Sequence, residues 1–203
     1  NPVNDARLIS AALQAQGFEV IERTDVSQKE MKRAVKEFGD RLEAARGEAV
    51  GLFYYAGHGV QVDGLNYLIP IDAEIESEGD VDIESMSVDS VLASIAFARN
   101  PVNIVILDAC RNNPFARGFR SPGRGLATVD AQTKGTLIAF ATSPGDVALD
   151  GEGGNSPYSK ALAAAFTVPG VPIEKMFRNV RDAVLEETNG RQTPWESSSL
   201  VGE

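Results

Sequence analysis

The apolar positions of this chain fall into two rhythms. Leu8, Ile9, Ala12 and Leu13 recur three or four residues apart, the spacing of a helix that buries one face. Asn4 or Asp5 can cap that helix, and Gly17 stops it. A strand is expected around Phe18 to Ile21. Ser27, with Glu30 three positions on, has the form of a capping box, and Met31, Val35, Phe38 and Leu42 carry a second helix towards Gly47. Ala49 to Tyr55 is apolar on both alternating faces, as in a strand covered on two sides, and it delivers the chain into Ala56-Gly57-His58-Gly59.

Alternating residues on either side of Asp63-Gly64 predict a small hairpin, and the acidic stretch from Glu74 to Glu84 reads as a solvated loop. A third helix, from about Met86 to Arg99, leads into the apolar strand Asn103 to Leu107, which ends at Asp108-Ala109-Cys110. Residues 111 to 134 are rich in Arg, Gly and Pro without periodicity, so an exposed loop is expected there. Gly135 to Thr142 reads as another buried strand. Ser156 and Pro157 form the start of a helix over Tyr158 to Phe166. A further helix from Pro172 to Glu187 and a short strand within Trp195 to Val201 complete the pattern.

Helices alternating with buried strands predict an α/β fold, a mostly parallel sheet with helices on both faces. Ligands of such sheets sit beyond the carboxyl ends of the strands, and His58 and Cys110 both fall at such ends. The 203 residues, 43% hydrophobic and 24% charged, are the material of one domain. A net charge of -10 argues against nucleic acid, whose binding relies on clustered Lys and Arg. No apolar run of about 18 residues appears, so no membrane-spanning helix and no membrane partner is expected.

One cysteine cannot form an intramolecular disulfide, so Cys110 is a buried filler, a reactive thiol or an intermolecular link. One His and one Cys supply too few N and S ligands for zinc. They do suffice for nucleophilic catalysis, in which an imidazole takes the thiol proton and later returns it to a leaving amine. A Gly-rich phosphate loop between strand and helix is absent, which removes a nucleotide switch from consideration.

Tyr54-Tyr55-Ala56-Gly57-His58-Gly59 resembles the histidine motif of the caspase superfamily, and Asp108-Ala109-Cys110-Arg111 resembles its cysteine motif. In that family the histidine precedes the cysteine by about 50 residues. Here the interval from 58 to 110 is 52. Asn1-Pro2-Val3-Asn4-Asp5-Ala6, Ala141-Thr142-Ser143-Pro144-Gly145 and Gln192-Thr193-Pro194-Trp195 extend the likeness over nearly the whole chain. The resemblance is to the metacaspase or orthocaspase kind of cysteine peptidase (peptidase C14). It implies a caspase-haemoglobinase-like three-layer sandwich, with 1–116 as a large piece, 117–134 as an exposed loop and 135–203 as a small piece.

The same resemblance implies a His58–Cys110 dyad, with the backbone N–H groups of Gly59 and Cys110 donating to the oxyanion; Gly59 reads equally as a turn glycine. Animal caspases carry a glutamine two residues before the cysteine and an arginine after the fifth strand to read a substrate aspartate. This chain has Asp108 and Asp150 at those places, and Asp5 in its Asn-Asp-Ala motif. Asp5 serves equally well as a helix cap, and Asp150 as a solvent-facing loop residue. A pocket of two or three carboxylates attracts Arg or Lys, so substrates with a basic residue at the cleaved bond are implied.

Calcium-dependent metacaspases use an acidic residue seven positions after the cysteine. Here that position is Arg117, and no metal or other cofactor is expected. Arg117, Arg120, Arg124 and Lys134 offer self-cleavage sites in the exposed loop. The family's fold places a strand before the Asn-Asp-Ala motif, so an upstream segment or another chain is expected to add a strand beside Ala49 to Tyr55. The competing function is a catalytically silent caspase-fold module for protein interaction or signalling, because fold alone does not decide activity.

Overall fold

The structure, a computed structural model, describes residues 1–110, 126, 134–143, 148–149, 151 and 153–201. In chain order the elements are α1 (Pro2–Ala15), α2 (Gln28–Ala44), β1 (Val50–Val62), β2 (Leu65–Leu68), α3 (Glu78–Glu84), β3 (Met86–Ser87), α4 (Val88–Ala98), β4 (Val102–Cys110), β5 (Thr136–Phe140), α5 (Pro157–Phe166), α6 (Ile173–Glu187) and β6 (Trp195–Ser198). The strands form one sheet in the order β3-β2-β1-β4-β5-β6. Its centre, β1-β4-β5, is parallel, and the marginal strands β2, β3 and β6 run antiparallel to their neighbours.

Alternation along the central strands builds two cores. Ile104 and Ile106 of β4 and Leu137 and Ala139 of β5 pack under α1, α5 and α6, where Ile9, Leu162 and Val180 meet them. The intervening residues Val105, Leu107, Ile138 and Phe140 face α2 and α4, against Met31, Val91 and Ile95. Each large apolar side chain so buried stabilises the fold by about 1.5–3 kcal/mol. The result is the expected three-layer α/β sandwich.

Several boundaries differ from expectation for local reasons. Asn1 occupies the cap position of α1, and Asp5 lies inside the first turn, buried. The acidic stretch is not all loop: the Asp80 carboxylate accepts from the backbone N–H of Ser77 at 2.8 Å and of Glu76 at 3.1 Å, which starts α3. Val81 then buries completely, in a small cluster with Val60 and Tyr67. Ser27 and Glu30 form the expected capping box of α2. At the hairpin, Asp63 and Gly64 both have positive φ, +50° and +80°, the backbone a two-residue I′ turn requires.

Phe18 to Ile21 forms no ladder. Its neighbour across the layer, β1, pairs with β4 from Val50 to His58 on one side. On the other side the Ile69 N–H donates to the His58 carbonyl at 3.0 Å, and the β2 ladder runs on from Gly59 with Leu68. Between the rest of β1 and residues 18–26 lies a cavity of about 680 Å³ lined by Leu13, Val20, Phe38, Leu42, Leu52 and Phe53 among others.

Gly135 closes the turn into β5. Its carbonyl accepts from Asn103 N–H at 2.8 Å, its φ is +74°, and an added Cβ would stand 2.1 Å from the Pro101 carbonyl oxygen. Left-handed strain and the clash together are expected to cost Gly135→Ala about 2–4 kcal/mol of stability. Urea unfolding checks this, and an unchanged midpoint would contradict it.

Candidate active site

Parallel pairing of β1 with β4 sets Ala56 opposite Asp108 and His58 opposite Cys110. Adjacent strands are about 4.8 Å apart, so two residues 52 positions apart in sequence become ladder neighbours at the carboxyl end of the sheet. Cys110 is described by its backbone only. His58 is exposed.

The backbone beneath His58 is held from two directions. The Ile69 N–H donates to the His58 carbonyl at 3.0 Å, and the Tyr55 hydroxyl reaches the same carbonyl at 2.8 Å and the Ile69 carbonyl at 3.1 Å. Gly57 makes this possible: its φ is +156°, and a Cβ there would lie 2.6 Å from the Tyr55 hydroxyl oxygen. At Gly59 a Cβ would come within 3.1 Å of both Ala109 and Leu126. The space that glycine leaves is therefore filled from below by the core.

Beside His58 is a cavity of about 200 Å³ lined by Asn1, Asp5, Asp108, Leu149 and Ser156 among others. Asp5 comes from α1 and Asp108 from β4, so the two carboxylates meet through packing of the first helix on the sheet. They are 3% and 7% exposed, which makes their hydrogen bonds decisive. Asp5 Oδ1 accepts from Asn155 Nδ2 and from the Ser156 N–H, each at 2.9 Å. Asp108 Oδ2 accepts from the hydroxyls of Ser156 and Ser159, each at 2.6 Å, and from Tyr54 at 3.3 Å.

Burial pushes the Asp108 carboxyl above the ordinary carboxylate range; the Ser156 and Ser159 hydroxyls oppose that rise, and the nearby Asp5 charge adds to it. Burial and the Asp108 charge together raise the Tyr54 phenol well above its usual value, so it remains a proton donor. Among the described residues, no Lys or Arg pairs with either acid.

Of the residues singled out from sequence, Asp5, His58 and Asp108 line one cavity. Asp5 is not a cap, because its carboxylate bonds to residues 150 and 151 positions away. Asp150 and the loop positions Arg117, Arg120 and Arg124 lie outside the described residues; Lys134 lies at the turn into β5.

Four further contributors carry no role in the sequence pattern: Tyr54 stands in a motif, Ser156 is a helix cap, and Asn155 and Ser159 have no feature of their own. A signal for Ser159 existed: it lies three residues after the cap, so it shares the cap's side of the first turn. Gln192 is a fifth case. Fully buried, it donates to the Ala141 carbonyl at 2.8 Å and accepts from the Leu149 N–H at 2.9 Å, tying the end of β5 to the cavity wall.

A family model described as Peptidase_C14, the caspase domain, matches residues 1–203. Mucosa-associated lymphoid tissue lymphoma translocation protein 1 of Homo sapiens is 29% identical over 110 residues, 54% of this chain and 13% of that protein. Its Mus musculus homolog is likewise 29% identical over 110 residues, covering 12% of its length. The chain thus spans about an eighth of these curated relatives. Caspase-1 from Spodoptera frugiperda shares the fold, with a TM-score of 0.68 at 17% identity over 98% of this chain and 78% of that one.

Proposed function

Because the chain belongs to the caspase domain family of cysteine peptidases, peptidase C14, we propose that it is an endopeptidase of the metacaspase or orthocaspase kind, cleaving after Arg or Lys through His58 and Cys110. The observation that carries this reading is the cavity beside His58, with the carboxylates of Asp5 and Asp108 in its wall. Asp150 follows Leu149, another wall residue, and is proposed as a third acid of the same pocket.

In this reading the side chain of the substrate's basic residue enters the cavity, which brings the following peptide bond to the ends of β1 and β4. His58 takes the proton of the Cys110 thiol, and the thiolate attacks the carbonyl carbon. The oxyanion receives the N–H groups of Gly59 and Cys110. The tetrahedral centre collapses as the C–N bond breaks, with the imidazolium proton passing to the amine. Water, deprotonated by His58, then attacks the thioester, and the acid is released with the thiol restored. The original thiol proton leaves with the amine and a water proton takes its place, so the dyad ends in the protonation state in which it began, and no metal or cofactor is invoked.

The test is hydrolysis of a fluorogenic peptide ending in Arg before the reporter. Cleavage that an Arg-aldehyde blocks is the expected result. Complete inactivity of the folded protein would instead favour the silent interaction module.

The 680 Å³ cavity beside β1 supports a second element of the proposal: an upstream segment lies extended there and adds a strand beside β1. Hydrogen exchange along β1 should slow once upstream residues are joined. Equal protection with and without them would contradict the added strand.

A further inference from the structure

We propose that the first turn of α5 is the positioning device of the acidic pocket, with Ser156 and Ser159 holding one oxygen of Asp108 so that its other oxygen serves the substrate cation. This rests on the specificity proposed above. The donors are arranged one-sidedly. Every hydrogen bond to Asp108 lands on Oδ2, and every one to Asp5 lands on Oδ1. No donor among the described residues reaches Asp108 Oδ1 or Asp5 Oδ2. Two acceptor oxygens on the wall of one cavity are therefore left for a planar, many-donor guanidinium.

The hydroxyl protons are also committed in direction. Ser156 Oγ accepts the Ser159 N–H at 2.9 Å, which turns its own proton to Asp108. Ser159 Oγ donates to Asp108 at 2.6 Å, which leaves it to accept from the Tyr54 hydroxyl 2.7 Å away; the phenol has one proton to divide between Ser159 and the Asp108 oxygen at 3.3 Å. Both bonds to Asp108 measure 2.6 Å, the length expected for a hydroxyl on an ionised carboxylate. Ser156 serves both acids at once, through its N–H to Asp5 and its hydroxyl to Asp108.

Among the described residues, the titratable groups around Asp108 are Asp5 from α1, Tyr54 and His58 from β1, and Tyr158 from α5. Burial, and to a lesser extent the nearby Asp5 charge, favour the neutral form of Asp108. The serine hydroxyls oppose both tendencies. Removing one raises the pH at which Asp108 loses its proton.

The experiment follows the Asp108 carboxyl carbon by ¹³C NMR during pH titration, in wild type, Ser159→Ala, Ser156→Ala and Ser156→Thr. In parallel, kcat/KM is measured against pH for an Arg peptide and a matched peptide with a neutral residue there. Each Ala variant should move the Asp108 midpoint upward by about one to two pH units. The acid limb for the Arg peptide should move with it while that for the neutral peptide, which reports His58 and Cys110, stays in place. Ser156→Thr, which keeps the hydroxyl, should restore the wild-type midpoint.

An unmoved Asp108 midpoint, or equal movement of both acid limbs, would overturn the inference. Absence of any Arg preference in the wild type would sink the specificity reading alone, because the NMR midpoint judges the serines without it. Should Ser159→Ala not fold, Tyr54→Phe removes the donor behind Ser159, and failure to raise the midpoint in that variant would equally overturn the proposal.

Discussion

Cys110→Ala is expected to lower kcat/KM by at least about a thousandfold while the unfolding midpoint stays within a degree or two of wild type. The thiolate is the bond-forming atom of the proposed reaction, and a methyl group offers no substitute. Loss of His58 should be nearly as severe, since general acid–base catalysis alone supplies roughly a hundred- to ten-thousandfold and the neutral thiol is a poor nucleophile. His58 is exposed where β1 leaves its pairing with β4, and its backbone, not its ring, carries the bonds to Ile69 and Tyr55. His58→Ala should therefore unfold at the same urea concentration as wild type. The two losses should not multiply in the double variant, because the residues act as one unit. Substantial activity in either single variant would remove the dyad from the mechanism.

Asp108→Ala separates binding of the basic side chain from chemistry at the cleaved bond. A charge-assisted hydrogen bond lost from a buried site costs about 1.5–3 kcal/mol, or on the order of ten- to a hundredfold in kcat/KM for an Arg substrate. A Lys substrate should lose less, since the compact ammonium lacks the planar fork with which a guanidinium can meet one oxygen of each acid. A neutral substrate should change little. The variant's stability should not fall in proportion, because burial already holds the Asp108 carboxyl above its ordinary range and ionising it in place is unfavourable. As pH rises through that range, wild type should lose stability relative to the variant. Efficient cleavage after Asp by wild type would contradict the charge argument outright.

The layers of the fold were legible because they rest on short-range rules. The capping box of Ser27 and Glu30, the Asp63-Gly64 turn and the uninterrupted apolar strands each reflect a local preference that tertiary packing had no reason to override. Phe18 to Ile21 was read as a strand because its composition suits one, yet a strand exists only where a neighbour supplies its ladder. α3 was missed because charge obscured the spacing of Ser77 and Asp80 and the single buried Val81. At the site, motif order points to His58, Asp5 and Asp108, which line one cavity. It could not reveal the first turn of α5, because Asn155, Ser156 and Ser159 reach the acids only when helix and sheet pack together across about 50 to 150 positions of sequence.

The most direct measurement is cleavage-site profiling of a peptide library by mass spectrometry, with wild type and Cys110→Ala side by side. The expected result is cuts on the carboxyl side of Arg and, less often, Lys, all absent from the variant. Cuts that persist in Cys110→Ala, or wild-type cuts that cluster after acidic or apolar residues, would contradict the proposed function.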